Sequence, residues 1–514
     1  MQIKAVSFFA LAAGFLSCSG AMAQTREAGA PLSAIDWLSD SIAIPDPAPE
    51  GAVTPPTSAA VPDVLVAPLD APAPDRAGLI PARSLGLQAN IWGRSTAADI
   101  GRRISDMPRI DQPTLRRFFR ALLLAQFDPP VDAIADSSLF LARVDKLLDM
   151  AELDVAERLI DEAGAPTPAK FRREFDIALL RGTETKACET IERTPDISPT
   201  FPARIFCLAR NGEWEVAALT LGTAEALSLL DPDEEKLLLH FLDPELFEGD
   251  PLPPVPLHPS PLTFRLYEAI GERIDTETLP TAFAYTDLSE NVGWKTRLRA
   301  SERLARAGVV TAEEFLSQAT SRKAAASGGV WDRITHVQAL VQALDQDDAA
   351  RVSAALPQTW AAVMSGGYGP TLSTWLARRL SGIELTSAAQ HDAFEIALLA
   401  DDLELAKRYV GTSAEDRSLL ALAEGRAGEM SISGPVATTI KRSLSGLPPG
   451  DQLQHLLEDQ RTGEALLAAI RQLADGAEGD PAAIGDALSL FVSLGLEDWA
   501  RRIAIEILLD EAAA

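Results

Sequence analysis

From about Leu85 onward, apolar residues recur three and four positions apart and the stretches between them are short, a pattern that predicts one α-helix after another to the C-terminus. Period-two runs of β-branched residues bounded by turns are missing. That absence argues against a parallel sheet and against the nucleotide crevice such sheets carry at their strand ends. One motif recurs: an apolar helix end, a small or polar turn, then a helix with Ala at its first buried position. It runs from Leu147 through Ala151 to Ala156, from Ile177 through Gly182 to Ala187, and from Phe206 through Gly212 and Trp214 to Ala217. The three alanines lie 31 and 30 residues apart. A period in that range predicts stacked helical hairpins, each too small to bury its own apolar face. Weaker copies lie at 400–406 and 494–500, with another around Leu304 and Gly308.

The repeat resembles tetratricopeptide-type units, in which a small residue lets two helices approach and Gly turns the chain between them. Gly182 and Gly212 stand in the turns, Leu153 and Trp214 just after turns, Ala156, Ala187 and Ala217 at the helix crossings, and Pro168 and Pro199 near unit ends. The matching positions cover roughly residues 140–230. The resemblance implies an all-α fold, a TPR-like α-solenoid whose concave and grooved surfaces bind protein.

Two segments fall outside the helical pattern. The N-terminus has the composition of an export signal: Lys4, an apolar run from Ala5 to Leu16, and Ala21-Met22-Ala23 before a cleavage point. The run of twelve residues is short of the roughly 18 needed to span a bilayer. Residues 1–23 therefore read as a signal peptide of a periplasmic protein, with no transmembrane helix in the mature chain. The alternative is a lipoprotein acylated on Cys18, since Phe15-Leu16-Ser17-Cys18 is similar to a lipobox. Residues 24–85 hold ten prolines between Pro45 and Pro81 among Ala and small polar residues, which predicts an extended, disordered arm. Within it Ile35, Leu38 and Ile42 share one helical face beside Trp37, a candidate docking peptide. The second segment, residues 249–261, has six prolines in thirteen positions. It predicts a rigid elbow between an N-terminal repeat region, 86–248, and a C-terminal one, 262–514.

The charge narrows the function classes. Among 514 residues, 46 Lys and Arg face 74 Asp and Glu, a net charge of -28. A surface so acidic repels polyanions, which excludes nucleic acid as a partner and disfavours anionic membranes. Cys188 and Cys207 fall on consecutive helices of neighbouring repeats, in a chain bound for an oxidising compartment, and predict a structural disulfide. The histidines, His240, His258, His336, His391 and His455, are scattered without metal-ligand spacing, so neither metal nor cofactor is expected. The adjacent carboxylates Asp233-Glu234-Glu235, Glu313-Glu314, Asp347-Asp348 and Asp401-Asp402 stand where helices begin, which suits the N-terminal dipole better than acid–base work. Gly366-Gly367-Tyr368-Gly369-Pro370 lacks the Lys-Ser/Thr of a phosphate loop and reads as a turn. No catalytic residue stands out. The expectation is a non-enzymatic scaffold or adaptor with a protein partner in the cell envelope. Its rivals are an enzyme acting on cell-wall glycan through noncontiguous carboxylates and an outer-membrane lipoprotein of an assembly complex.

Overall fold

A computed structural model describes residues 74–133 and 137–513. The chain divides into Met1–Leu32 and Ser33–Ala514, and all described residues belong to the second unit. The signal peptide, Cys18 and the docking-peptide residues Ile35, Trp37, Leu38 and Ile42 lie outside the described residues.

The protein is all-α, as its periodicity predicts. The first helices are α1 (Ala97–Ser105), α2 (Pro113–Leu124), α3 (Ser138–Asp149) and α4 (Leu153–Glu162). Next come α5 (Pro168–Arg181), α6 (Thr185–Arg193), α7 (Phe201–Arg210), α8 (Trp214–Ala226), α9 (Pro232–Leu242) and α10 (Pro261–Ala269). The chain continues through α11 (Trp294–Arg306), α12 (Ala312–Thr320), α13 (Val330–Asp345), α14 (Ala349–Ser365), α15 (Gly369–Leu380) and α16 (Ser387–Leu399). It finishes with α17 (Leu403–Tyr409), α18 (Ala414–Ala423), α19 (Pro435–Ser443), α20 (Asp451–Glu458), α21 (Thr462–Leu473), α22 (Pro481–Ser493) and α23 (Glu497–Ala513). Two-residue strands β1 (Ile80–Pro81) and β2 (Ala125–Gln126) pair in parallel.

A single local device joins many of these helices. The residue after the helix adopts a left-handed backbone, and the next N–H reaches back five positions to a helical carbonyl. Thr183 donates to the Ala178 carbonyl around Gly182 (φ 69°), and Glu213 to that of Leu208 around Gly212 (φ 87°), both at 2.9 Å. The same turn forms on Ala151, Asp401 and Gln460, where a side chain must accept positive φ. Within two or three residues the next helix begins. The repeat alanines Ala156, Ala187 and Ala217 are all buried.

The two-part division at residues 249–261 does not describe the packing. One large core joins residues 82–180 to 264–508, and a second core lies wholly within residues 171–267. The prolines do keep residues 251–260 from forming helix. The segment does not separate two arrays, because Leu262, Leu266 and Tyr267 beyond it share the smaller core with Phe171 and Phe175 before it. Tyr267 Oη donates to the Pro253 carbonyl at 2.8 Å and Arg265 Nε to that of Leu179 at 2.7 Å, tying α10 back to α5. We call the smaller unit, α5 to α10, the lobe, and the rest the body.

The body closes on itself. Phe118 of α2 meets Phe491 of α22 and Trp499 of α23 at ring-centroid distances of 4.9 and 5.2 Å. Arg103 Nε of α1 donates to Glu464 Oε2 of α21 at 2.9 Å, and Arg461 adds two bonds to the same buried carboxylate. Glu506 of α23 caps α2 in place of a neighbouring side chain, accepting from Thr114 N–H at 2.9 Å and from Thr114 Oγ1 at 2.6 Å.

Residues 74–85, expected to belong to the extended arm, are part of the body instead. Asp75 accepts from Phe140 N–H at 2.7 Å. The buried Arg143 donates to the carbonyls of Asp75, Leu123 and Ala125, which pins this segment beside β2. Ala82 and Leu85 supply apolar surface that composition alone undervalued.

Candidate functional site

Helix α8 is apolar around most of its circumference, a composition suited to full burial. Only one face is covered. Ala217, Leu221 and Ala224 pack inward, while Val216, Leu219, Thr223 and Leu227, spaced three, four and four residues apart, form an outward stripe. Leu219 is 72% exposed and Trp214, at the start of the helix, 48%. Beside the stripe, Ala218, Gly222 and Ala226 leave a shallow track, and a Cβ at Gly222 would meet nothing within 4 Å. Twelve large apolar residues are exposed among the described residues, and nine of them lie between Phe201 and Leu257. Apolar exposure is thus concentrated in the lobe.

The lobe holds this face rigidly from behind. Cys188 of α6 and Cys207 of α7 form a disulfide with a Cα–Cα distance of 4.9 Å. Phe241 of α9 stacks on Phe206 at a ring-centroid distance of 5.8 Å and meets the Trp214 ring, tilted by 45°, at 6.0 Å. Arg210 donates to Glu184 at 2.7 Å and Asn211 to Glu192 at 3.0 Å, bracing α6 against the α7–α8 turn. Trp92, Trp294, Trp331 and Trp360 are buried and Trp375 and Trp499 half-buried, which leaves Trp214 as the exposed tryptophan among those described.

The chain around the apolar stripe carries one sign of charge, with Glu215 and Glu225 exposed on α8 itself. Between residues 211 and 250 there are eleven Asp and Glu and one Lys, Lys236. Among the described residues, none of the eleven forms an ion pair, although 25 such contacts exist elsewhere in the molecule. Burial, reinforced by the Asp231 carboxylate, pushes Glu234 up to about 7.

The other candidate groups have structural partners. Asp231 accepts from Asp233 N–H at the start of α9, Asp348 caps α14 through Arg351 N–H, and Asp402 caps α17 through Leu405 N–H. Glu314 completes a capping box with Thr311. In the glycine-rich turn, Tyr368 is buried and donates to Glu302 at 3.1 Å, while Arg333 grips the same carboxylate. A Cβ on Gly366 would stand 2.4 Å from the Tyr368 ring, so that glycine serves close packing. An open hollow of about 430 Å³ between α19 and α22 is lined by Arg442, Asp480 and Asp486. There Asp480 caps α22 through Ala482 N–H, and Asp486 accepts a bond from Gly450 N–H. Among the described residues no group of three or more His, Cys, Asp or Glu is placed to hold a metal ion, and no helix is long and apolar enough to cross a membrane. Sequence reasoning missed the buried carboxylates Glu302, Glu464 and Glu506, whose partners are remote in the chain.

Comparison with protein-family models, with curated proteins and with solved structures returned no match.

Proposed function

We propose that the chain is an exported cell-envelope scaffold or adaptor that binds a protein partner through the outer face of the lobe. The observation that carries this reading is the concentration of exposed large apolar residues on one disulfide-braced lobe, nine of the twelve described. Exposed apolar surface concentrated in one region of an acidic protein is characteristic of an interaction site. The Cys188–Cys207 bond supports an oxidising compartment, in keeping with the signal-like residues 1–23. Buried alanines at 30- to 31-residue spacing, with a left-handed turn before each helix, support the tetratricopeptide-like reading of the hairpins. The test is crosslinking and affinity capture from the cell envelope with the mature chain and with a Val216→Ser, Leu219→Ser variant. The proposal expects at least one partner to be lost from the variant. An identical set from both proteins would overturn it.

A further inference from the structure

The α8 face has three possible occupants: the chain's own segment 33–42, a second copy, or another protein, and the charge around the face separates them. Segment 33–42 carries Asp36 and Asp40 and no Lys or Arg, so it would bring acid to an acidic rim. A second copy would set the exposed Glu215 and Glu225 of one α8, within a segment that has a single Lys, against the same groups of the other. Like charges across an interface select against both arrangements. A bilayer of anionic lipids is disfavoured by the same repulsion.

The remaining geometry describes the occupant that fits. The stripe Val216, Leu219, Thr223, Leu227 extends over eleven residue steps, about 17 Å at the helical rise of roughly 1.5 Å per residue. That is three turns of a facing helix, with anchors at i, i+3, i+4 and i+7. The small side chains of Ala218, Gly222 and Ala226 permit close approach of two helix backbones. Glu215 and Glu225, exposed on α8 and in no ion pair, flank the track, so Lys or Arg beside an apolar stripe would find free partners. Building on the scaffold reading above, we infer that the outer face of α8 docks a cationic amphipathic helix of another protein. Its leucine-like anchors enter the track and its basic flanks pair with the rim. Neutralising that rim is what makes the partner's charge decisive: an acidic or neutral helix with the same anchors lacks the long-range attraction and leaves the carboxylates unpaired.

The test uses the mature full chain and three fluorescein-labelled synthetic peptides of about 18 residues, long enough to form a helix. One has Leu at i, i+3, i+4 and i+7 with Lys elsewhere, the second replaces each Lys with Glu, and the third keeps the Lys and replaces each Leu with Ser. Binding is read by fluorescence anisotropy. The Leu/Lys peptide is expected to bind, and to weaken roughly tenfold or more both in about 0.5 M salt and on the Val216→Ser, Leu219→Ser variant. Glu215→Gln with Glu225→Gln should weaken it as well, leaving circular dichroism unchanged. The Leu/Glu and Ser/Lys peptides are expected not to bind. Equal binding of the Leu/Glu peptide would overturn the cationic preference while leaving apolar docking intact. Equal binding of the Ser/Lys peptide, or no effect of the Val216→Ser, Leu219→Ser change, would overturn the assignment to α8. Failure of all three peptides would overturn the inference, and the scaffold reading would then rest on whether envelope capture still depends on Val216 and Leu219.

Discussion

The body joins helices from opposite ends of the described chain, whereas the lobe is assembled almost entirely from neighbours in sequence. Their surfaces differ accordingly. In the body, buried carboxylates are gripped: Glu464 by Arg103 and Arg461, Glu302 by Arg333 and Tyr368, Glu506 by Thr114. In the lobe beyond α7, the carboxylates of residues 211–250 form no ion pair, and α8 exposes an apolar stripe. The body uses its polar groups to specify which ends meet, a task where a charge left unpaired is costly and therefore selective. The lobe needs less long-range specification: a disulfide and short turns join α5 to α9, and the bond from Arg265 to the Leu179 carbonyl returns α10 to α5. Its apolar and acidic surface stays exposed.

The contrast can be broken first at the body's closure. Phe118→Ala empties a fully buried position between α22 and α23 and is expected to cost about 3–5 kcal/mol. Hydrogen exchange should lose protection in α2, α22 and α23 and keep it in α7 and α8. Parallel loss in both regions would show that body and lobe unfold as one unit.

The reciprocal change acts on the lobe. Replacing Cys188 and Cys207 together with Ala removes a cross-link over a separation of 19 residues, worth about 3 kcal/mol in the chain-entropy description. Exchange should rise in α6 and α7, with the urea midpoint of the body unchanged. A drop in the body midpoint would place the bridge in service of the whole fold.

The smallest expected effect is that of pH on the body's seam. Burial pushes Glu506 up to about 7, outweighing the lowering by its bonds from Thr114, while the unfolded carboxyl stays near 4.5. Between those values the folded protein binds more protons than the unfolded one, so stability falls as pH rises through this window and is fully recovered below it. In the lobe, Asp176 of α5, raised to about 7 mainly by burial, acts in the same direction. Glu506→Gln should flatten the profile between pH 5 and 7 by on the order of 2 kcal/mol, measured by urea unfolding at each pH. A profile as steep as the wild type's would assign the dependence to other groups.

Much of the helical plan was legible because it is written locally. The left-handed turn at Gly182 or Gly212 is decided by bonds spanning five residues, and the alanines that follow are buried because helical spacing turns them inward. Acidic pairs at helix starts were readable for the same reason, since Asp348 and Asp402 bond to an N–H three residues ahead. The cysteine pair followed from adjacency of consecutive helices. The exposed face of α8 was only half legible. Trp214 was singled out by the repeat, but a helix apolar on every side, such as α8, reads as buried.

The sequence by itself determined the all-α class, the turns, the buried alanines after them and the acidity, because each depends on composition or on contacts a few residues apart. Tertiary structure alone decided that the body closes, that residues 74–85 join it, and that residues 249–261 divide nothing. Arg103 and Glu464 are 361 residues apart, and Thr114 and Glu506 are 392. No local pattern announces such a pairing, since the free energy that selects it exists only when both surfaces are already formed. The exposure of α8 has the same origin: which side of an apolar helix stays open depends on the neighbours that do not reach it.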